Sequence, residues 1–393
     1  MQNITIIGIN DTQPSFTDEQ KRIISLCINF AGGERHFQLV KDVLPKNHQW
    51  RNITVPLSDL IDEINETQGN WIVFASGDPW FFGIANTLKR EFPTATIHSF
   101  PLFNSIQILG HRLGINYGDY KPISLTGRHW KEFDKALITG ECRMAILTDR
   151  KNTPPVIAER MRNYGYSNYK IYYGEHLGGE EEKVLTLTLK EALTLDYKHP
   201  NCLLLEKTDD AIPQKLIPES EFQILDNRPN MITKMPVRLA TLASMELNSK
   251  TVLWDIGACT GSISIEARLN YPDLQIVAFE QHHNRMLMME NNCKQFQCPG
   301  IEMLEGDYLQ IDKEELMPPD AVFLGGHGGK MEEILDDISK RLLPGGIISF
   351  NSVSETSEER FLKWTEKNNY TIKCKQLIQV DKYNPIQIIT IKK

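Results

Sequence analysis

Val252-Leu253-Trp254-Asp255-Ile256-Gly257-Ala258-Cys259-Thr260-Gly261-Ser262-Ile263-Ser264-Ile265-Glu266 is the stretch that decides the fold. An apolar run ends in a carboxylate, a glycine-flanked turn follows, and a run with helical spacing begins. Strand, glycine loop and helix in that order open a Rossmann-type nucleotide site. Gly257 and Gly261 let backbone approach a ligand with no Cβ between them. A second carboxylate, Glu280, ends the apolar run Leu274–Phe279. An acid roughly 20 residues beyond the loop suits two ribose hydroxyls.

From this stretch the alternation continues to the C-terminus. Strands are expected near 251–255, 274–279, 300–304, 320–324 and 346–350, and helices near 261–270, 283–297 and 329–342. Such alternation predicts a parallel sheet with right-handed crossovers. After a helix over 355–369, the runs Thr371–Asp381 and Ile386–Lys392 should pair antiparallel across Asn384-Pro385. Upstream, Pro236 marks the first turn of a helix reaching about Leu247. Pro213, Pro218 and Pro229 interrupt any period in 207–232, so a linker is placed there.

The first half reads differently. Residues 3–9 form an apolar strand, and Thr17-Asp18-Glu19-Gln20 is a capping-box-like start for a helix to about Asn29, ended by Gly32-Gly33. Residues 53–56 and 70–75 read as strands, the second apolar enough to be buried on both faces. It runs into Ser76-Gly77-Asp78-Pro79-Trp80-Phe81-Phe82-Gly83, where Pro79 stands at an expected helix start. Asp78 lies at the carboxyl end of a strand, where open α/β sheets bind ligands, and an ordinary Asp cap is an equal alternative. Arg35, Arg112 and Arg128 are candidates for holding carboxylates bidentately, with pairing to acids inside the fold as the other reading. Glu180-Glu181-Glu182 reads as a solvated loop.

Composition narrows the function. A chain of 393 residues implies two domains, and 41% hydrophobic with 24% charged residues is ordinary for a globular protein. No run of about 18 apolar residues appears, so no membrane span is expected. The N-terminus lacks a basic region and a cleavage site, so no signal peptide is expected. A net charge of -8 without a basic stripe argues against nucleic acid as a partner. Seven cysteines, an odd number, fit a reducing cytoplasm better than a disulfide framework. Cys293 and Cys298 have no second pair, so no metal site is expected.

Several segments together resemble a known family. Gly77-Asp78-Pro79 is similar to the cofactor loop of the tetrapyrrole (class III, S-adenosylmethionine-dependent) methylases. Pro101-Leu102-Phe103-Asn104-Ser105-Ile106, Ser124-Leu125-Thr126-Gly127-Arg128 and Gly174-Glu175-His176-Leu177-Gly178 agree in order. Thr126 stands where that family has His, and Gly8-Ile9-Asn10-Asp11-Thr12 replaces its first loop. The second half resembles the decarboxylating, C15-methylating domains of the precorrin-6Y C5,15-methyltransferases. Ile217-Pro218-Glu219, Ile232-Thr233-Lys234, Val237-Arg238, Trp254-Asp255-Ile256-Gly257-Ala258, Gly306-Asp307 and Phe323-Leu324-Gly325-Gly326 carry that resemblance. Cys259 takes the place of a glycine.

The resemblance implies a fused α/β enzyme: a class III tetrapyrrole methylase domain over 1–207, then a Rossmann-like class I methyltransferase domain over 217–393. It implies two S-adenosylmethionine sites per chain, a precorrin substrate and a homo-oligomer. Cofactor contacts would be Gly77, Asp78 and Ser105 in the first domain. In the second they would be Thr233, Asp255, Gly257, Ala258, Cys259, Thr260, Gly261, Glu280, Asp307 and Tyr308. Gly325 and Gly326 would shape the acceptor side, and His327 is a candidate acid or base. The implied reactions are methylation at C5 and C15 of the corrin precursor and loss of the ring C acetate carboxyl. The alternatives are a cobalt-containing substrate, a non-catalytic first half, and a nicotinamide oxidoreductase at the 252–280 site.

Overall fold

The computed structural model describes residues 2–10, 12–54, 56–67, 69–225 and 232–393. Asp11 of the first loop, Val55 of the expected 53–56 strand, and Pro229 and Met231 of the linker region lie outside the described residues. The chain forms two compact units. The first is Met1–Arg128, Cys142–Ala158 and Tyr169–Thr208; the second is His129–Glu141, Glu159–Asn168 and Asp209–Lys393.

The first unit holds two sheets. One contains β1 (Asn3–Ile9), β2 (Asn29–Gly32), β3 (Gln49–Asn52), β4 (Asn70–Ser76) and β5 (Thr96–Phe100), in the order β3-β2-β4-β1-β5 and all parallel. β4 lies between β2 and β1 and buries Trp71 through Ala75, which is why its sequence is almost uninterrupted apolar. The other sheet contains β6 (Lys121–Ser124), β7 (Arg143–Leu147), β8 (Tyr169–Glu175), β9 (Lys183–Leu187) and β10 (Asn201–Lys207). Its order is β6-β7-β10-β8-β9, parallel only between β6 and β7.

Three expectations for this unit need correction. The first helix is Asp18–Ser25, with the expected capping box between Thr17 and Gln20, but it stops short of Asn29. Asn29–Gly32 instead forms β2, because Phe30 and Ala31 are wholly buried against the sheet. The strand expected at 53–56 lies upstream as β3, whose pairing ends with that of β2, Gly32 against Asn52. No helix begins at Pro79. Phe82 sits in the left-handed region (φ 52°), which an α-helix excludes, and the helix starts at Ile84.

The second unit is one seven-stranded sheet. Its strands are β11 (Val252–Ile256), β12 (Gln275–Glu280), β13 (Ile301–Glu305), β14 (Ala321–Leu324), β15 (Ile347–Ser352), β16 (Thr371–Ile378) and β17 (Ile386–Lys392). The order is β13-β12-β11-β14-β15-β17-β16; β17 and β16 are antiparallel additions and the rest are parallel. Chain direction across the sheet reverses between β11 and β14, and the loop after β11 stands at this switch point. Trp254, Val322 and Ile348 face a core shared with the helices Met331–Arg341 and Glu355–Lys367. Leu253, Ile276 and Phe323 face the helices Met235–Ser244 and Ser262–Asn270.

Two polar features hold the helix Met235–Ser244 in place. Ser244 Oγ lies 2.6 Å from Thr390 Oγ1, which lies 3.0 Å from Ser349 Oγ, and Thr241 Oγ1 lies 3.0 Å from Asn351 Oδ1. Further in, Arg238 donates to Glu266 (3.1 Å), to Thr233 O (3.0 Å) and to Ile217 O. Both charged side chains are fully buried. Glu266 also accepts the N–H groups of Leu216 and Ile217, so the incoming segment is stitched to the pair. Among the described residues no helix is long and apolar enough to cross a membrane.

Candidate functional site

A cleft of about 430 Å³ opens at the carboxyl ends of β11, β12, β14 and β15. Its floor is two touching glycine segments. Gly257 has φ +74°, and a Cβ there would lie 2.4 Å from Gly326 N. Only glycine therefore lets the loop after β11 rest on the loop after β14. Asp255, next to last in β11, is almost wholly buried, 1% exposed. Its Oδ2 accepts the Ser264 hydroxyl, and its Oδ1 has no hydrogen-bond partner. Burial pushes its pKa up to about 7, against the lowering pull of the Ser264 hydrogen bonds; nearby Glu280 adds to the rise.

Glu280, at the end of β12, accepts the N–H groups of Cys259 (2.9 Å) and His282 (3.0 Å), with Arg285 Nη1 3.6 Å away. Cys259 itself holds φ +53°. Asp307 accepts from Lys330 Nζ at 2.7 Å and from Leu309 N, and the Lys330 bond holds its carboxyl below the usual range. Tyr308 is built into an aromatic cluster, 5.0 Å from Phe279 and 6.3 Å from Trp254 between ring centroids. His327 Nδ1 accepts Gly329 N–H at 3.2 Å, so a neutral ring carries its proton on Nε2. Burial, then Arg360, depresses its pKa.

This cleft gathers Thr233, Asp255, Gly257, Ala258, Cys259, Thr260, Glu280, Asp307, Tyr308, Gly325, Gly326 and His327. Gly261 is not in its lining; it caps the helix Ser262–Asn270 at φ +74°. Arg285, Lys330 and Asn351 also line the cleft and were not singled out from the sequence. Asn351 stands at a strand end, the same kind of position that exposed Asp255 and Glu280.

A second cleft of about 340 Å³ lies in the first unit. Gly77, Asp78, Ser105 and Arg35 line it, with Asn10, Thr126, Thr148 and Asn201. Gly77 (φ +61°) packs its backbone against Phe103 and Asn104, and a Cβ on Gly8 would lie 2.0 Å from Gly77 O. Asp78 Oδ1 accepts Trp80 N–H at 2.9 Å and so shapes the turn. Thr148 Oγ1 donates to Asn201, and Thr126 Oγ1 donates to Thr148 O. Arg112 and Arg128 are not in the lining. Arg112 pairs with Glu182, which also accepts Gly178 N–H, so Glu182 is a structural partner rather than a solvated loop residue. Arg128 stacks on Phe82, 5.0 Å from the ring centroid.

Comparison with known proteins gives the family. Residues 227–388 match the precorrin methyltransferase domain family. A precorrin-6Y C5,15-methyltransferase (decarboxylating) from Sinorhizobium sp is 31% identical over 360 residues, 90% of this chain and 86% of that protein. A cobalt-precorrin-6B C15-methyltransferase (decarboxylating) from Salmonella typhimurium is 37% identical over 115 residues, 29% of this chain and 58% of that protein. The crystal structure of precorrin-6Y C5,15-methyltransferase from Geobacter metallireducens GS-15 is 31% identical, covers 45% of this chain and 96% of its own, and has a TM-score of 0.42. The Sinorhizobium protein is matched over 86% of its length, and the chain belongs to the precorrin-6Y C5,15-methyltransferase (decarboxylating) family.

Proposed function

We propose that each cleft is an S-adenosylmethionine site and that both serve one precorrin substrate. The enzyme is a decarboxylating C-methyltransferase of cobalamin biosynthesis, as its family is. In the finer reading, the first unit is a class III methylase acting at C5. The second is a Rossmann-like class I methyltransferase that methylates C15 and removes the ring C acetate carboxyl, giving precorrin-8X. The sheet order β13-β12-β11-β14-β15-β17-β16 supports the class I reading.

The observation that carries the second site is the unpartnered Asp255 Oδ1 beside the Gly257–Gly326 floor. A buried carboxylate oxygen without a donor is costly, and the ammonium of the methionyl group would satisfy it. Glu280 would take the ribose hydroxyls, and Asp307 with the Tyr308 backbone would border the adenine. Thr233 and the loop Ala258-Cys259-Thr260 would complete the wall. In the first unit, Gly77, Asp78 and Ser105 would hold the cofactor, and Arg35 a substrate carboxylate. When bound, the cofactor supplies an electrophilic methyl on a sulfonium.

The chain's task is then placement rather than acid–base chemistry, since methyl transfer needs in-line alignment at about 3 Å. The nucleophilic carbon is supplied by the macrocycle. For decarboxylation, the bond from the acetate methylene to its carboxyl breaks and the electron pair passes into the conjugated ring system. CO2 leaves, and the carbon takes a proton. The protein's part is to exclude water and orient that carboxylate.

Calorimetric titration of the full chain with S-adenosylhomocysteine tests this reading. Two equivalents are expected per chain. Gly257→Val, which drives a side chain into Gly326, should leave one, and Gly8→Val should leave the other. One equivalent in the wild type would make the first unit a scaffold, and none would end the reading. Mass spectrometry of products from metal-free and cobalt-containing substrate should then count two added methyls and one lost CO2. The Salmonella relative favours including the cobalt arm.

A further inference from the structure

Asn351 closes the β15 side of the second unit's cleft. The strand order places Glu280 over β12, Asp307 beyond β13, the glycine floor over β11 and β14, and Asn351 on the far side of that floor. In the parallel register Leu324 pairs with Phe350, so Asn351 stands beside Gly325. The Thr241 hydroxyl lies 3.0 Å from Asn351 Oδ1, while Nδ2 is buried with no hydrogen-bond partner. A buried amide donor left unpaired is costly, so it points to a ligand atom that completes it.

The surroundings indicate the ligand's chemistry. Ile232, Val353 and Ile386 line the cleft with Asn351. Among the described residues, the cleft's Lys and Arg side chains are engaged elsewhere, Lys330 on Asp307 and Arg285 beside Glu280. His327, whose ring lies 6.2 Å from that of Phe350, adds a second neutral donor at Nε2. An anion bound here meets neutral N–H donors, while Arg360, whose charge reaches His327, is held on Glu332 and on Gly329 O. Such a site orients a carboxylate without neutralising the charge that must be released when CO2 departs.

We infer that the Asn351 amide binds and orients the substrate carboxylate lost as CO2, an assignment that rests on the function proposed above. The full chain is assayed at pH 8 with the tetrapyrrole substrate, using Asn351→Asp and Asn351→Leu. The aspartate keeps the shape but only accepts, and repels a carboxylate; the leucine removes the donor. In both variants CO2 release should fall at least tenfold, while S-adenosylhomocysteine affinity and C5 methylation stay within twofold. CO2 release within twofold of wild type in Asn351→Asp overturns the assignment. So does a parallel loss of cofactor binding, which would make Asn351 a structural residue. Absence of cofactor uptake by the wild-type second unit would instead bring down the parent reading, and this assignment with it.

Discussion

Cys259 shows what one side chain can cost at a site. A non-glycine residue at φ +53° crowds its own carbonyl, at about 1 kcal/mol. Cys259→Gly should therefore stabilise the second unit by about 1 kcal/mol in urea unfolding, while Cys259→Ala should not. Asp255 carries a pH dependence. Its pKa near 7 exceeds the ordinary carboxyl value, so below pH 7 the folded site holds a proton that the unfolded chain lacks. Stability from this group thus falls as pH rises from about 4 to 7. Binding of an ammonium demands the ionised form, so affinity for S-adenosylhomocysteine at this site should drop about tenfold per unit below pH 7. Calorimetry at pH 6 in buffers of different ionisation heat should show nearly one proton released, and Asp255→Asn should abolish that release. Asp255 and Glu280 were legible because carboxylates at strand ends beside glycines form a motif. Asn351 was not, since a neutral amide at a strand end has no such signature. The partner of Arg112 was invisible too, because Glu182 reaches it only through the fold.

At the scale of elements, strands buried on both faces were the easiest to read. β4, β12 and β14 are uninterrupted apolar runs bounded by polar or glycine residues, β11 is broken only by Asp255, and the antiparallel pair β16 and β17 fell where its apolar runs stood. β2 was missed because it has only four residues and follows a helix across a short turn. Pro79 misled because proline suits a turn as well as a helix start, and Phe82 φ decided between them. The Arg238–Glu266 pair ties together two helices and the segment at 216–217, and no local pattern announces such a tie. Arg238→Leu leaves Glu266 buried without its cation and should cost about 3–5 kcal/mol in urea unfolding of the second unit. Arg238→Leu combined with Glu266→Leu should recover part of that loss.

Across the whole molecule, the α/β class and the change of pattern between the halves could be read from element order alone. Which helices pack into which unit could not: His129–Glu141 and Glu159–Asn168 count with the second unit through long-range packing that periodicity does not encode. The bare backbone contact of Gly257 with Gly326 reaches further than its size. In the proposed arrangement the loop that holds the methyl donor and the loop that borders the acceptor meet there with no side chain between them. Nothing can be added at that junction for the benefit of one occupant without displacing the loop that serves the other. Random mutagenesis should accordingly recover no active replacements at position 257, however far the surrounding lining is allowed to drift.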